Sequence, residues 1–113
     1  MIEYATLEEG INPVSTKAWF YKCKKLRSAT IKTDLEEIGD YMFYETQLGS
    51  SINNLFKNVR KIGKSAFYGI TSTQWYNDYY KVTIPDSVEY IGERAFYNIF
   101  GITELTLNGG ETI

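Results

Sequence analysis

The chain repeats itself. GINPVSTKAWF, DLEEIGDYMFY, NVRKIGKSAFY and SVEYIGERAFY share one pattern. Val14, Ile38, Ile62 and Ile91 align, followed by Ser15, Gly39, Gly63 and Gly92, then Ala18, Met42, Ala66 and Ala95. Trp19, Phe43, Phe67 and Phe96 close the pattern, and this aromatic column advances by 24, 24 and 29 residues. A period in this range marks a solenoid, because no single repeat can bury its own apolar face and neighbours must stack to do so. The expected architecture is one solenoid spanning residues 1–113, with repeats near 2–25, 26–49, 50–78 and 79–101 and a partial repeat at 102–113.

Each repeat has an upstream half. Ala5 and Leu7, Ala29 and Ile31, Asn53 and Leu55, Val82 and Ile84 hold the inward positions of an alternating segment. Such alternation predicts a half-buried strand. Leu105 and Leu107 predict a fifth. A bend follows each strand at Gly10, Asp34, Asn58 and Ser87, and then a second short extended piece. The Gly column requires either positive φ or close backbone approach. The x-x-Ala-Phe stretch is long enough for a single helical turn only. The strands are expected to form a parallel sheet on one face, one per coil, with turns on the other. With no polar capping segment evident, the chain is expected to be a fragment of a longer array, or to have ends that pair with another molecule.

The pattern breaks in three places. SSINNLF puts Ser50 and Asn53 in apolar columns, and Ile52 marks a one-residue slip or bulge. Phe20 competes with Trp19 for the aromatic column of the first repeat. An insertion of about five residues falls within TSTQWYNDYY and gathers Trp75, Tyr76, Tyr79 and Tyr80 beside Asp78.

Composition narrows the function. The chain has no His, so the commonest general base and metal ligand are missing. Cys23 is alone, which excludes an internal disulfide and a cysteine metal cluster. The net charge of −2 argues against nucleic acid as a partner. No apolar run is long enough for a membrane helix, so membrane insertion is not expected. Adjacent acids such as Glu8-Glu9 and Glu36-Glu37, or Asp86 near Glu89, point apart on an extended chain and do not form a glycosidase pair. No calcium loop and no phosphate-cradling glycine loop is present. Hence no catalytic residue, metal or cofactor is expected.

VTIPDSVEYIGERAFYN, residues 82–98, resembles the leucine-rich repeat of the BspA type. KIGKSAFYG and LEEIGDYMFY resemble it too, most specifically at I-G-x-x-A-F, while NPVSTKAW lacks the Gly. The resemblance implies a right-handed solenoid with a concave parallel sheet. It also implies adhesion or protein binding in bacterial and protozoan surface proteins, without catalytic residues.

The solvent-facing strand positions are the natural contact surface. One row is Thr6, Thr30, Asn54, Thr83 and Thr106; beside it run Tyr4, Ser28, Ile52, Lys81 and Glu104. Thr favours strands in any case, so the row also has a purely structural reading. The candidate ligand-binding residues are Thr30, Asn54, Lys81 and Thr83 on the strands and Trp75, Tyr76, Tyr79 and Tyr80 in the insertion. Tyr and Trp suit recognition, yet they equally fill core space. A further aromatic column, Phe20, Tyr44, Tyr68 and Tyr97, reads as convex-face packing.

The leading expectation is a non-catalytic module of a cell-surface or secreted protein that recognises a protein or glycan. The alternative is a structural spacer or self-associating segment without a ligand; an enzyme is remote. The expected location is the cell surface or outside the cell as part of a longer protein, or the cytoplasm if the chain is complete.

Overall fold

The computed structural model describes residues 4–7, 16–32, 35–71, 79–107 and 111–112. The strands that open the coils are β1 (Tyr4–Leu7), β2 (Ser28–Ile31), β5 (Tyr80–Ile84) and β7 (Ile102–Leu107). A second, shorter set is β3 (Glu37–Ile38), β4 (Lys61–Ile62) and β6 (Tyr90–Ile91). We number the coils 1 to 4 by their aromatic turns, at Phe20, Phe43, Phe67 and Phe96; β7 opens a fifth.

β3, β4 and β6 pair in parallel with Glu37 on Lys61 on Tyr90 and Ile38 on Ile62 on Ile91. This is the short extended piece expected after each bend. The isoleucines point inward, and Ile38 and Ile62 are fully buried. β1 pairs with β2, and β5 with β7, also in parallel.

The expected continuous sheet is interrupted. Residues 49–55 of coil 3 form a 3-10 helix, η1 (Gly49–Leu55), instead of a strand. It packs against both β2 and β5. The cause is the side-chain order in SSINNL. Ile52 and Leu55 are three apart and share one face of a three-residue turn. Both are buried, whereas Asn53 and Asn54 are exposed. Asn53 then replaces the missing strand: its amide nitrogen donates to the Lys81 carbonyl at 2.8 Å, and its oxygen accepts the Thr83 amide at 3.0 Å. Those two groups flank Val82, as ladder partners would in a parallel sheet.

The aromatic turns contain no α-helix among the described residues. They are overlapping β-turns, seen in Met42 N to Gly39 O, Tyr44 N to Tyr41 O and Thr46 N to Phe43 O. The intervening amides bond to the next coil: Tyr41 N to Lys64 O, Phe43 N to Ala66 O and Glu45 N to Tyr68 O. Every backbone donor from Tyr41 to Thr46 therefore has a use, either in the turn or across the stack. Left-handed backbone recurs at Ala18, Tyr41, Ser65 and Arg94, with φ of 57, 59, 53 and 59°, and again four residues on at Lys22, Glu45, Gly69 and Asn98. A type II turn needs positive φ at its third residue, and the stacked bonds hold non-glycine residues there.

The same bonds settle the first repeat. Ala18, Phe20 and Lys22 donate to Asp40, Met42 and Tyr44. Phe20, not Trp19, is thus in the Phe43 column, and Thr16, not Ser15, is level with Gly39. Thr16 Oγ1 accepts the Gly39 amide at 2.8 Å. Trp19 is 40% exposed.

Of the two reasons for the Gly column, close approach is the one that holds. A β-carbon on Gly63 would lie 2.5 Å from the Asp40 backbone nitrogen. The core is a stack of like residues. Phe20, Phe43, Phe67 and Phe96 lie ring on ring at 5.5, 5.5 and 5.3 Å, with Phe43 and Phe67 fully buried. β8 (Glu111–Thr112) pairs antiparallel with β7, a pairing that no feature of the repeat announces.

Candidate binding surface

The outward strand positions bring some of the expected residues together. Thr6 is level with Thr30, and Thr83 with Thr106. Thr6, Thr30, Lys81 and Thr83 are exposed. Asn54 is exposed on η1, outside any strand ladder, so the expected five-membered polar row is two pairs with a helix between them. In the neighbouring row Ile52 is buried, and Lys81 Nζ lies 4.0 Å from Glu104.

The aromatic insertion divides. Trp75, Tyr76 and Asp78 lie outside the described residues. Tyr79 is 64% exposed at the entrance to β5, while Tyr80 is only 7% exposed and belongs to the core. The alternation of β5 explains this: Tyr80, Val82 and Ile84 face in, Lys81 and Thr83 face out. Tyr80 therefore contributes packing, not contact surface.

Beyond the strands, the bends of coils 3 and 4 border a shallow groove of about 530 Å³ lined by Glu36, Asn58, Arg60, Asp86, Ser87 and Glu89. Arg60 Nε meets Glu89 Oε2 at 2.7 Å. This hydrogen bond, reinforced by the opposite charge, lowers the Glu89 carboxyl below its ordinary value and raises Arg60. A second hollow, lined by Asn53, Phe56, Lys57, Asn58, Thr83, Pro85, Asp86 and Ser87, shares Asn58, Asp86 and Ser87 with it. It reaches the outward face of β5 at Thr83. Arg60 and Glu89 share one repeat column, 29 residues apart like Phe67 and Phe96. Reading the columns for charge as well as for hydrophobicity would have revealed the pair.

On the turn side, the outer aromatic row is Tyr21, Tyr44, Tyr68 and Tyr97, not one beginning at Phe20; Tyr21 and Tyr97 at its ends are exposed, and Tyr44 and Tyr68 are half-buried. The rings stack at 4.9, 4.8 and 5.5 Å. Lys22 lies 5.5 Å from the centre of the Tyr21 ring and Arg94 5.7 Å from that of Tyr97, a cation at each end of the row. Desolvation within the row, then the charge of Glu45, raises the Tyr44 hydroxyl above its ordinary value. Stacked rings cover one another's faces, so this row offers edges and hydroxyls to a partner, not flat platforms.

Among the described residues no group of His, Cys, Asp and Glu is placed to hold a metal ion, and no helix is long and apolar enough to cross a membrane. Cys23 is half-buried and free.

No curated protein and no solved structure matches this chain. A family match does cover it: the BspA type leucine rich repeat region, in six copies over residues 1–74 and 70–113. The matched ranges meet the stacked coils of the structure end to end, and the chain belongs to the BspA-type leucine-rich-repeat family.

Proposed function

We propose that the chain is a non-catalytic binding module that recognises a protein or glycan ligand through the outward face of β2, η1 and β5 and the adjoining groove. The observation that carries this reading is the contrast within β5. Its inward residues are buried, while Lys81 and Thr83 stand exposed beside Asn53, and Thr83 lines a hollow that shares Asn58, Asp86 and Ser87 with the groove holding the Arg60–Glu89 pair. A rigid polar face of this kind offers hydrogen bonds at a fixed spacing, and a stacked core lets it do so with little ordering cost. The family match supports a repeat protein suited to protein binding; an adhesive role in a surface or secreted protein is part of the same proposal.

The test is a protein and glycan array probed with the 113-residue chain and with a Thr83→Arg variant. We expect at least one ligand whose binding Thr83→Arg abolishes while the melting curve is unchanged. Binding that survives Thr83→Arg would move the site elsewhere. Absence of any ligand would favour the spacer reading, to which the unbroken aromatic stacks lend rigidity.

A further inference from the structure

The basic residues are unevenly placed. Six of the twelve Lys and Arg fall within residues 17–32 and none of the fourteen Asp and Glu does, so this run carries +6 while the rest of the chain carries −8. Lys22, Lys24, Lys25 and Arg27 lie on the connector from the coil 1 turn to β2. Residues 22–27 span less than about 18 Å even when fully extended, so these charges are crowded. Local structure fixes them. The Leu26 amide donates to the Cys23 carbonyl at 2.9 Å, closing a β-turn whose central residues are Lys24 and Lys25. Leu26 is fully buried, Cys23 packs against the core, and the Gln47 amide of coil 2 holds the Leu26 carbonyl at 2.9 Å. On this anchored turn Lys22, Lys24 and Lys25 are exposed and Arg27 is half-buried. One coil meets the next through backbone groups, as Gln47 meets Leu26, so stacking leaves the outward side chains of a connector uncovered.

The patch has no internal counter-charge. Arg60, Lys61, Lys81 and Arg94 each lie within 4.0 Å of a carboxylate. Lys22, Lys24, Lys25 and Arg27 pair with no acid among the described residues; Lys22 lies 5.5 Å from the centre of the Tyr21 ring. The Lys22 amide meets the Tyr44 carbonyl, which brings Glu45 level with the patch. The Glu45 side chain leans toward coil 3 instead, where its Cγ would lie 3.0 Å from a β-carbon on Gly69. The described parts of the adjoining connectors, residues 46–48 and 70–71, contain no acid.

We infer that this basic turn is a binding site for a sulfated polysaccharide. The patch itself selects among polyanions. A protein partner gains most of its affinity from a buried apolar anchor, and here Leu26 and Cys23 are turned toward the core. A nucleic acid gains from bases stacked on open aromatic faces, but the adjoining Tyr21 ring is stacked on Tyr44 at 4.9 Å and has Lys22 against it. A sulfated polysaccharide needs neither. It brings closely spaced fixed negative charges that accept hydrogen bonds from ammonium and guanidinium groups, and it gains by counter-ion release. The rest of the chain, at −8, repels the polymer and confines it to this edge. This site is separate from the strand face and groove proposed above and does not rest on them.

The probe is heparin, titrated into the 113-residue chain at low salt, with amide chemical shifts and calorimetry as readouts. Saturable shifts are expected at Lys22, Lys24, Lys25 and Arg27, and the affinity should fall steeply as salt is raised. Fully desulfated heparin, which keeps its carboxylates, should bind far more weakly. The double variant Lys24→Ala, Lys25→Ala should weaken heparin binding about tenfold with an unchanged melting curve, since two exposed charge contacts are lost. Lys61→Ala with Lys64→Ala removes the same charge from coil 3 and should weaken it less than about twofold. Equal losses in the two double variants, shifts that avoid the basic turn, or equal affinity for desulfated heparin would overturn the proposal. Tighter binding of polyglutamate or of oligo-dT at the same turn would overturn it in favour of an acidic protein segment or a nucleic acid.

Discussion

Asn53 holds the amide of Thr83 at 3.0 Å through a side-chain oxygen, in the place where a neighbouring strand would offer a main-chain carbonyl. With the return bond from its amide nitrogen to Lys81, one side chain does the work of a peptide unit. A coil can therefore lose its strand while the next strand keeps both bonds on that side.

Asn53→Ala is expected to destabilise the chain by about 1–3 kcal/mol, since it leaves two backbone groups of β5 without partners on that side. Amide exchange at Thr83 should accelerate selectively. Asn53→Asp keeps the acceptor and loses the donor, so it should protect Thr83 better than Ala does. Unchanged exchange at Thr83 in both variants would show that Asn53 does not hold the edge.

Phe67→Ala removes a fully buried ring that stacks on Phe43 and Phe96 and meets Phe56 edge to face at 5.9 Å. A loss of about 3–5 kcal/mol is expected. A thermal or urea melt measures it, and a shift near zero would contradict the burial.

Gly63→Ala should also destabilise, by about 1–3 kcal/mol, for a different reason. The new methyl would meet the Asp40 backbone nitrogen at 2.5 Å and the Gly39 carbonyl carbon at 2.8 Å, and neither can swing aside as a side chain could. Since coils 2 and 3 would have to separate, the Lys64 amide bond to Asp40 should weaken as well, visible as faster exchange at Lys64.

Glu89 should titrate below the ordinary value of 4.5 because of its bond to Arg60. Its folded pKa is depressed, so its contribution to stability is present above the unfolded value and is lost as pH falls through the folded one. The pair is exposed, and the effect on stability should be small. Arg60→Ala should return the Glu89 titration, followed by carboxyl NMR, to the ordinary range; no movement would mean the pair does not form in solution.

The repeat columns made the coils, the short second strands and the phenylalanine stack legible, because burial at a fixed period leaves the same residue type at the same place. Phe43 and Phe67 could be named as core from their column alone. The surface was less legible. Thr30 and Thr83 read as one row with Asn54, but η1 separates them, since Ile52 and Leu55 bury together only when the chain winds in three-residue turns. Tyr80 read as surface beside Tyr79 until the alternation of β5 turned it inward.

By itself, the order of amino acids determined that coils must stack, roughly where each begins, and which side chains fill the centre; hydrophobic burial depends on residue type, and residue type is written in the chain. Only the tertiary structure decided the rest. It chose between Trp19 and Phe20, assigned close packing and not positive φ to Gly63, and let Asn53 stand in for a strand. Each of these depends on which group lies across the gap between coils, and that neighbour is 22 to 30 residues away in the chain.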